Sequence, residues 1–328
     1  LFTLSKGIEL QRWSRGEGAE PSYLAPNAPG GVIVDYSLPI KLEVTDEQKK
    51  LEQTPVKIEV HDSKGRLIAT HYGPSNAGVN RFVWDMRFDG PTKLDFEKPS
   101  LEGKPPEWAQ GPTGPQVMPG IYRISVTADD HTEQAQATVS ADPNQAPAEL
   151  NQRQSVEAAL VARAQDDAMN RMLNRISAMQ SQLNAYAADV TKQTNSNDAD
   201  VQAQARAQQD LVAKAKALAK QLGDLKDSVY EPKVQHTVFE DELHQLTDLH
   251  GATEAMAGTF ANLGTQAPTE PLMEMHKEVA GKLNAKLAAY NALLNGDIAA
   301  YDKRAYAEGA PTLAPGKPIM VAAAPPID

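Results

Sequence analysis

The distribution of proline limits the fold more than any other feature of the sequence. Fifteen of the 23 prolines lie before residue 148, and none occurs between Ala148 and Glu231. Proline interrupts helices and central strands but is common in turns, so the first part is divided into short segments and the second can form long helices. We therefore predict a multidomain α+β chain that changes class near Asp142-Pro143.

The first part is predicted to be an antiparallel β-sandwich over residues 32–142. Six short segments are rich in β-formers, several alternate apolar and polar residues, and turn residues separate them. These segments are 32–38, 56–61, 66–71, 80–86, 121–128 and 134–139. Asp62 to Gly65 is predicted to be a hairpin turn. Residues 1–31 are predicted to be an extended lead-in arm, and residues 90–120 a long proline-rich loop.

The second part is predicted to be an antiparallel bundle of about four helices over residues 148–307. Apolar residues recur at three- and four-residue steps from Met169 to Val190, and with a seven-residue period from Val201 to Val229. These patterns predict two long helices joined by a polar turn at 191–200. Two further apolar stripes, at 239–263 and 272–301, complete the bundle. Residues 308–328 are expected to be an extended tail, either mobile or packed back on the first domain.

Composition excludes several classes of function. The net charge of −11 opposes binding to nucleic acid or to anionic membranes. No apolar run is long enough to span a bilayer. The absence of cysteine excludes disulfides, thiolate zinc sites and cysteine nucleophiles. Because the chain begins at Leu1 rather than Met, we expect a processed product or a fragment.

The segment AGVNRFVWDMRFDG at 77–90 is the densest aromatic stretch. Phe82 and Trp84 are predicted to point into the sandwich. Arg81, Asp85 and Arg87 are predicted to fix its edge through ion pairs, and Tyr122 is a further structural anchor. Asp85 and Asp89 could alternatively act as an acid/base pair on a glycosidic bond, but the interleaved arginines favour ion pairing.

The loop at 90–120 contains the candidate recognition residues. A loop of this length is usually functional or ordered by a neighbouring element. Trp108 either covers the sandwich edge or contacts a ligand. Asp89 directly precedes the first residue of the loop.

The sequence predicts no catalytic residue, no cofactor and no metal. Glu240, His244 and Asp248 would share one helix face, but this spacing is common by chance and HExxH is absent. A solvated or salt-bridged face is the favoured interpretation. No nucleophile elbow or phosphate-binding glycine loop occurs.

Several segments resemble one known family in order and spacing. They are PNAPGGVIVDYSL, IEVHDSKGRLI, AGVNRFVWDMRFDGP, GPTGPQVMPGIYRISVTA and the helical APTEPLMEMHKEVAGKLNAKLAAYNALLNGDIAAYDKRA. They are similar to the region that follows the β-propeller in bacterial BNR-repeat, sortilin-like proteins, which are often labelled glycosyl hydrolases. The sandwich also resembles the Ig-like domain of flagellar hook-capping proteins.

The resemblance implies a non-catalytic structural or partner-binding region of an exported protein, either periplasmic or extracellular. Its partner would be an upstream β-propeller, and the long helices could also self-associate. The alternative is an accessory part of a glycosidase-like enzyme whose loop 90–120 contacts carbohydrate. The propeller's Asp-box motif is absent from this chain, so no catalytic residue can be assigned from the family.

Overall fold

A computed structural model describes residues 1–9, 30–95, 113–144, 149–230, 248–325 and 327. The chain is mixed α/β, with its strands before residue 142 and its long helices after residue 148. The change of class therefore falls where the proline distribution predicted it.

The strands form two sheets. They are β1 Gly7–Glu9, β2 Val32–Leu38, β3 Val56–His61, β4 Leu67–Gly73, β5 Gly78–Trp84, β6 Gly120–Ala128 and β7 His131–Ala141. One sheet has five strands in the order β1-β7-β6-β3-β4, and the other pairs β2 with β5. β1 is parallel to β7, whereas the other pairs are antiparallel. A short helix, α1 Asp46–Lys50, lies between β2 and β3.

Side chains of both sheets share one hydrophobic core. Val34 of β2, Ile58 of β3 and Ile124 of β6 are fully buried, because the inward positions of each strand are apolar. β2 and β3 coincide with the predicted strands. The hairpin between β3 and β4 is also confirmed, with Gly65 at φ +80°. β1 was not predicted, since three residues are too few to show an alternating pattern.

Six helices follow the sheets in the described part of the chain, and the longest of them, α2, lies at their centre. They are α2 Glu149–Gln193, α3 Ala199–Ala207, α4 Gln209–Asp227, α5 Leu249–Ala261, α6 Glu270–Leu293 and α7 Ala299–Ala307. A π-helical turn, Leu294–Ile298, connects α6 to α7. The 45 residues of α2 bury apolar side chains along its whole length, and α4, α5 and α6 contact it. Pro271 lies in the first turn of α6, where its missing N–H and fixed φ suit a helix start.

The second long helix is interrupted, contrary to the prediction. α3 ends at Ala207 and α4 begins at Gln209. Gln208 between them has φ −87° and ψ 0°, and Ala205 and Leu211 on either side of it are both fully buried in the helical core. Of the third predicted helix, residues 239–247 lie outside the described residues.

Residues 311–325 and 327, which follow α7, run back along α2 and α6, and we call them the C-terminal strap. Asn291 of α6 donates to the carbonyl of Ile319 and accepts from its N–H, at 2.7 and 2.9 Å. Arg153 of α2 donates to the carbonyl of Ile327 at 2.9 Å. Ile327 also packs in a small cluster with Met118 of the sheet region. The strap therefore packs back on both parts of the chain.

Candidate functional site

Trp84 is the central side chain of the core shared by the two sheets. It is 0% exposed, and its indole N–H donates to the carbonyl of Arg87 at 3.0 Å. The ring of Tyr122 packs against it edge-on at 5.3 Å. Phe82 is half-buried and packs on the same core. The structure thus places both aromatic residues of β5 where the sequence predicted them.

The expected ion pairs of Arg81 and Arg87 with Asp85 and Asp89 are not found. Arg81 instead binds both carboxylate oxygens of Asp35, at 2.7 and 2.8 Å. These hydrogen bonds hold the pKa of Asp35 below its ordinary value. The reason is geometric: Asp35 lies directly opposite Arg81 on β2, whereas a residue four positions along the same strand lies about 13 Å away.

Arg87 closes the base of the long loop. Its guanidinium donates to the carbonyl of Gly114 at 3.0 Å, and Phe88 N–H donates to the carbonyl of Pro115. A Cβ at Gly114 would lie 1.9 Å from the carbonyl oxygen of Phe88, so only glycine fits. Asp85 accepts a hydrogen bond from the N–H of Arg87 at 3.1 Å. These residues fix the loop through backbone contacts rather than through ion pairs.

Asp89 lies at the edge of the five-stranded sheet. Both of its carboxylate oxygens are 3.1 Å from the N–H of Thr70 in β4, and its own N–H donates to Ile68. Burial raises the pKa of Asp89, and the hydrogen bond from Thr70 and the charge of Arg163 on α2 act in the opposite direction. Asp89 thus joins the edge strand to the start of the loop. Trp108, the other predicted recognition residue, lies outside the described residues.

The segment 91–95 is bound along one face of α2. Thr92 donates through its N–H and its hydroxyl to Asp167, at 3.1 and 2.6 Å. Asn170 donates to the carbonyl of Thr92 at 2.8 Å, and Asn174 donates to the carbonyl of Lys93 at 2.8 Å. The spacing of three and four residues puts these side chains on one face of the helix. α2 is therefore fastened to the sheet region by polar contacts.

Buried polar residues of α2, α5 and α6 form a group that we call the polar cluster. It consists of Gln165, Asp166, Asn170, His250 and His276. The Oδ1 atom of Asn170 accepts a hydrogen bond from Nε2 of His250 on α5, at 2.9 Å. Nε2 of His276 on α6 donates to Gln165 at 2.7 Å. The cluster connects α2 with both neighbouring helices.

Asp166 is the most unusual member of the polar cluster. It is 0% exposed, and its Oδ2 atom has no hydrogen-bond partner within the described part of the chain. Burial raises the pKa of Asp166 to about 7, and the negative charges of Glu254 and Asp167 add to this effect. Burial lowers the pKa of His276. Burial therefore shifts the protonation equilibrium of both side chains toward the uncharged form, relative to the same side chains in water.

A second buried carboxyl lies where β1 meets the start of α2. Glu9 is 7% exposed, and its Oε2 atom accepts a hydrogen bond from Gln152 at 2.9 Å. Its Oε1 atom has no partner among the described residues. Burial raises the pKa of Glu9 to about 7, although the bond from Gln152 lowers it. Sequence reasoning missed Glu9 and Asp166, because an acidic residue in a strand or helix is usually on the exposed face.

Similarity to known proteins does not identify a function for these residues. Comparisons with models of protein families, with curated proteins and with solved structures found no match.

The described residues contain no group of three acidic, histidine or cysteine side chains placed to hold a metal ion. Of the predicted row, Asp248 accepts a hydrogen bond from the N–H of Gly251 at 2.6 Å and begins α5. Glu240 and His244 lie outside the described residues.

A groove of about 610 Å³ on α6 includes no residue of the polar cluster. It is lined by Glu274, Lys277, Glu278, Gly281, Lys282 and Ala285.

None of the helices that the structure describes combines the length and the apolar character needed to cross a bilayer.

Proposed function

We propose that this chain is a non-catalytic structural or partner-binding region of an exported bacterial protein, located C-terminal to a BNR-repeat, sortilin-like β-propeller. In this proposal an Ig-like β-sandwich and an antiparallel helical bundle form one scaffold. The scaffold holds its partner in the periplasm or outside the cell.

Three features support the Ig-like interpretation of the sheet region. The hydroxyl of Tyr122, near the start of β6, donates to the carbonyl of Met118 four residues upstream, at 2.6 Å. A tyrosine in this position, the tyrosine corner, is a hallmark of Ig-like sandwiches. In this proposal the adjacent β3, β6 and β7 are strands C, F and G of that fold, and the paired β2 and β5 are strands B and E, which agrees with the observed strand order. The two sheets also bury a common core.

The observation that carries the functional proposal is the fastening of the sheet region to α2. Hydrogen bonds join Glu9 to Gln152, Thr92 to Asp167 and Asn170, and Lys93 to Asn174. Met118 of the sheet region packs against Val156 and Leu160 of α2. Because polar and apolar contacts are both used, the sheets and helices are held in a fixed relation. A fixed relation of this kind suits a scaffold.

Binding to a propeller is the direct test of this proposal. The purified chain, titrated calorimetrically with a separately produced propeller from the same native protein, is expected to form a one-to-one complex. N-terminal sequencing and intact mass of the native protein establish whether such a propeller precedes Leu1. A native protein that lacks one, or a propeller that does not bind, would contradict the proposal.

Catalysis is tested separately with a panel of glycosides. We expect no hydrolysis by this chain, because Asp85 and Asp89 are occupied by backbone hydrogen bonds at the strand end. Hydrolysis that disappears with Asp85→Asn or Asp89→Asn would show instead that these carboxyl groups are catalytic.

The alternative function is a carbohydrate-contacting part of a glycosidase-like enzyme. It is favoured by the secure attachment of both described ends of the loop, at Thr92 and at Gly114. Fixed ends lower the entropic cost of holding a binding loop. Under this alternative, Trp108→Ala in the complete protein weakens sugar binding at least about tenfold, as expected when an aromatic contact is lost. Glu107→Gln is the control, and equal binding by both variants argues against the loop.

A further inference from the structure

Glu9 and Asp166 are both buried acidic side chains, and their positions are unusual for that reason. Each is a carboxyl group in the contact of α2 with another element, β1 for Glu9 and α5 for Asp166. Each has one oxygen that is buried without a partner in the described part of the chain. A buried, unpaired carboxylate is costly, whereas the protonated acid is tolerated.

The charged and titratable groups around Asp166 do not compensate its ionisation. From α5, Glu254 carries a like charge, and His250 is hydrogen-bonded to Asn170 rather than to Asp166. From α6, His276 is hydrogen-bonded to Gln165. On α2 itself, Asn170 donates a long hydrogen bond of 3.4 Å to Oδ1 of Asp166. Asp167 is also negative and is paired with Arg171, and Arg163 acts on Asp89. An ionised Asp166 would therefore face net repulsion.

The surroundings of Glu9 are similar in effect. Gln152 on α2 supplies its hydrogen bond, and the strand residue beside it on β7 is Ala141. Arg153, the nearest cation along α2, donates to the carbonyl of Ile327 and pairs with Glu149. Ionisation of Glu9 would leave a negative charge in a largely apolar contact.

We propose that Glu9 and Asp166 make the contacts of α2 with β1 and with α5 dependent on pH. Each contact is closed while its carboxyl group carries a proton, and each opens more readily when the proton is released. The two contacts respond independently, because the residues lie on different partners of α2.

The pH range follows from linkage. Both native pKa values are about 7, against ordinary values of 4.5 for Glu9 and 3.8 for Asp166. Native pKa values above the unfolded values mean that the stabilisation is complete below about pH 4 and is lost as the pH rises through about 7. The open fraction of each contact is expected to rise about tenfold between about pH 6 and about pH 8.

Hydrogen exchange measured by mass spectrometry tests each contact separately. After correction for hydroxide catalysis, peptides from β1 and α5 of the wild type should lose protection about tenfold over this range. Glu9→Gln should remove the pH dependence in β1 alone, and Asp166→Asn in α5 alone. Glu157→Gln, on the exposed face of α2, is the matched control and should behave as the wild type.

Equal pH dependence in the wild type, Glu9→Gln and Asp166→Asn would overturn the proposal. A direct measurement avoids dependence on the folding of the variants. The infrared C=O band of protonated carboxyl groups should persist in the wild-type protein at about pH 6, well above the ordinary pKa values. Absence of this band at about pH 6 would equally overturn the proposal.

Discussion

At the scale of single residues, Trp84 contributes the largest fully buried side chain of the sheet region. Its indole N–H is satisfied by Arg87, so the residue combines apolar burial with a hydrogen bond. Trp84→Ala is expected to lower the free energy of unfolding by about 3–5 kcal/mol, mainly through the cavity it leaves.

Urea denaturation followed by circular dichroism measures this loss for Trp84. The matched control is Val79→Ala on the same strand, where the side chain is 70% exposed. A change within about 0.5 kcal/mol is expected for the control. Equal effects of the two substitutions would show that Trp84 is not a core residue.

His276 is predicted to make the folded protein less stable at acidic pH. Burial lowers its pKa, so the unfolded chain binds a proton more readily than the folded protein. The stability it contributes is present above the ordinary pKa of 6.5 and is lost as the pH falls through the lower native value. Thermal unfolding as a function of pH should therefore be less acid-sensitive in His276→Gln than in the wild type. A greater acid sensitivity of the variant would contradict this sign.

At residue scale the sequence predicted burial better than it predicted partners. The alternating pattern of β5 was enough to place Trp84 in the core, since one face of a strand is buried. The partner of Arg81 was not predictable in the same way. Asp35 is distant in sequence and becomes its neighbour only through the register of β2 with β5.

At the scale of elements, Asn291 is the side chain through which α6 holds the C-terminal strap by hydrogen bonds. Asn291 makes two hydrogen bonds to the backbone of Ile319, whose own side chain is buried in the helical core. Asn291→Ala leaves both backbone groups without their partner and should cost about 1–3 kcal/mol.

Limited proteolysis tests whether Asn291 retains the strap. Cleavage within residues 311–325 should be faster in Asn291→Ala than in the wild type, because the strap separates more often. Asn284→Ala, at an exposed position on the same helix, is the control and should leave the rate unchanged. Identical cleavage of all three proteins would show that Asn291 does not retain the strap.

Periodicity predicted the long elements and missed the irregular ones. α2 and the α6 to α7 stretch follow apolar stripes of many residues, and such stripes leave little ambiguity. The break at Gln208 contains neither proline nor glycine, the residues that most strongly mark the end of a helix in a sequence, so the seven-residue period continues across it.

At the scale of the whole molecule, the fastening of segment 91–95 to α2 should couple the sheets to the helices during unfolding. Asn170 lies at the centre of this contact, bound to both Thr92 and His250. We expect the wild type to unfold in one transition and Asn170→Ala to unfold in two. The substitution removes the hydrogen-bond partner of the Thr92 carbonyl, of His250 and of Asp166, and it weakens the link between the two parts.

Calorimetry measures this coupling through the ratio of calorimetric to van't Hoff enthalpy. The ratio should be about 1 for the wild type and clearly above 1 for Asn170→Ala. Asn184→Ala, on an exposed part of α2, should resemble the wild type. Two transitions in the wild type would show that the two parts unfold independently.

The strap also has a consequence for the order in which the protein is made. Its residues leave the ribosome after every helix and strand that they bridge, so the elements beneath it are synthesised before their cover exists. Until then, Met118, Val156 and Leu160 lack the apolar contacts of Ala324 and Ile327. We therefore expect the nascent protein to expose this apolar surface until the strap has been synthesised.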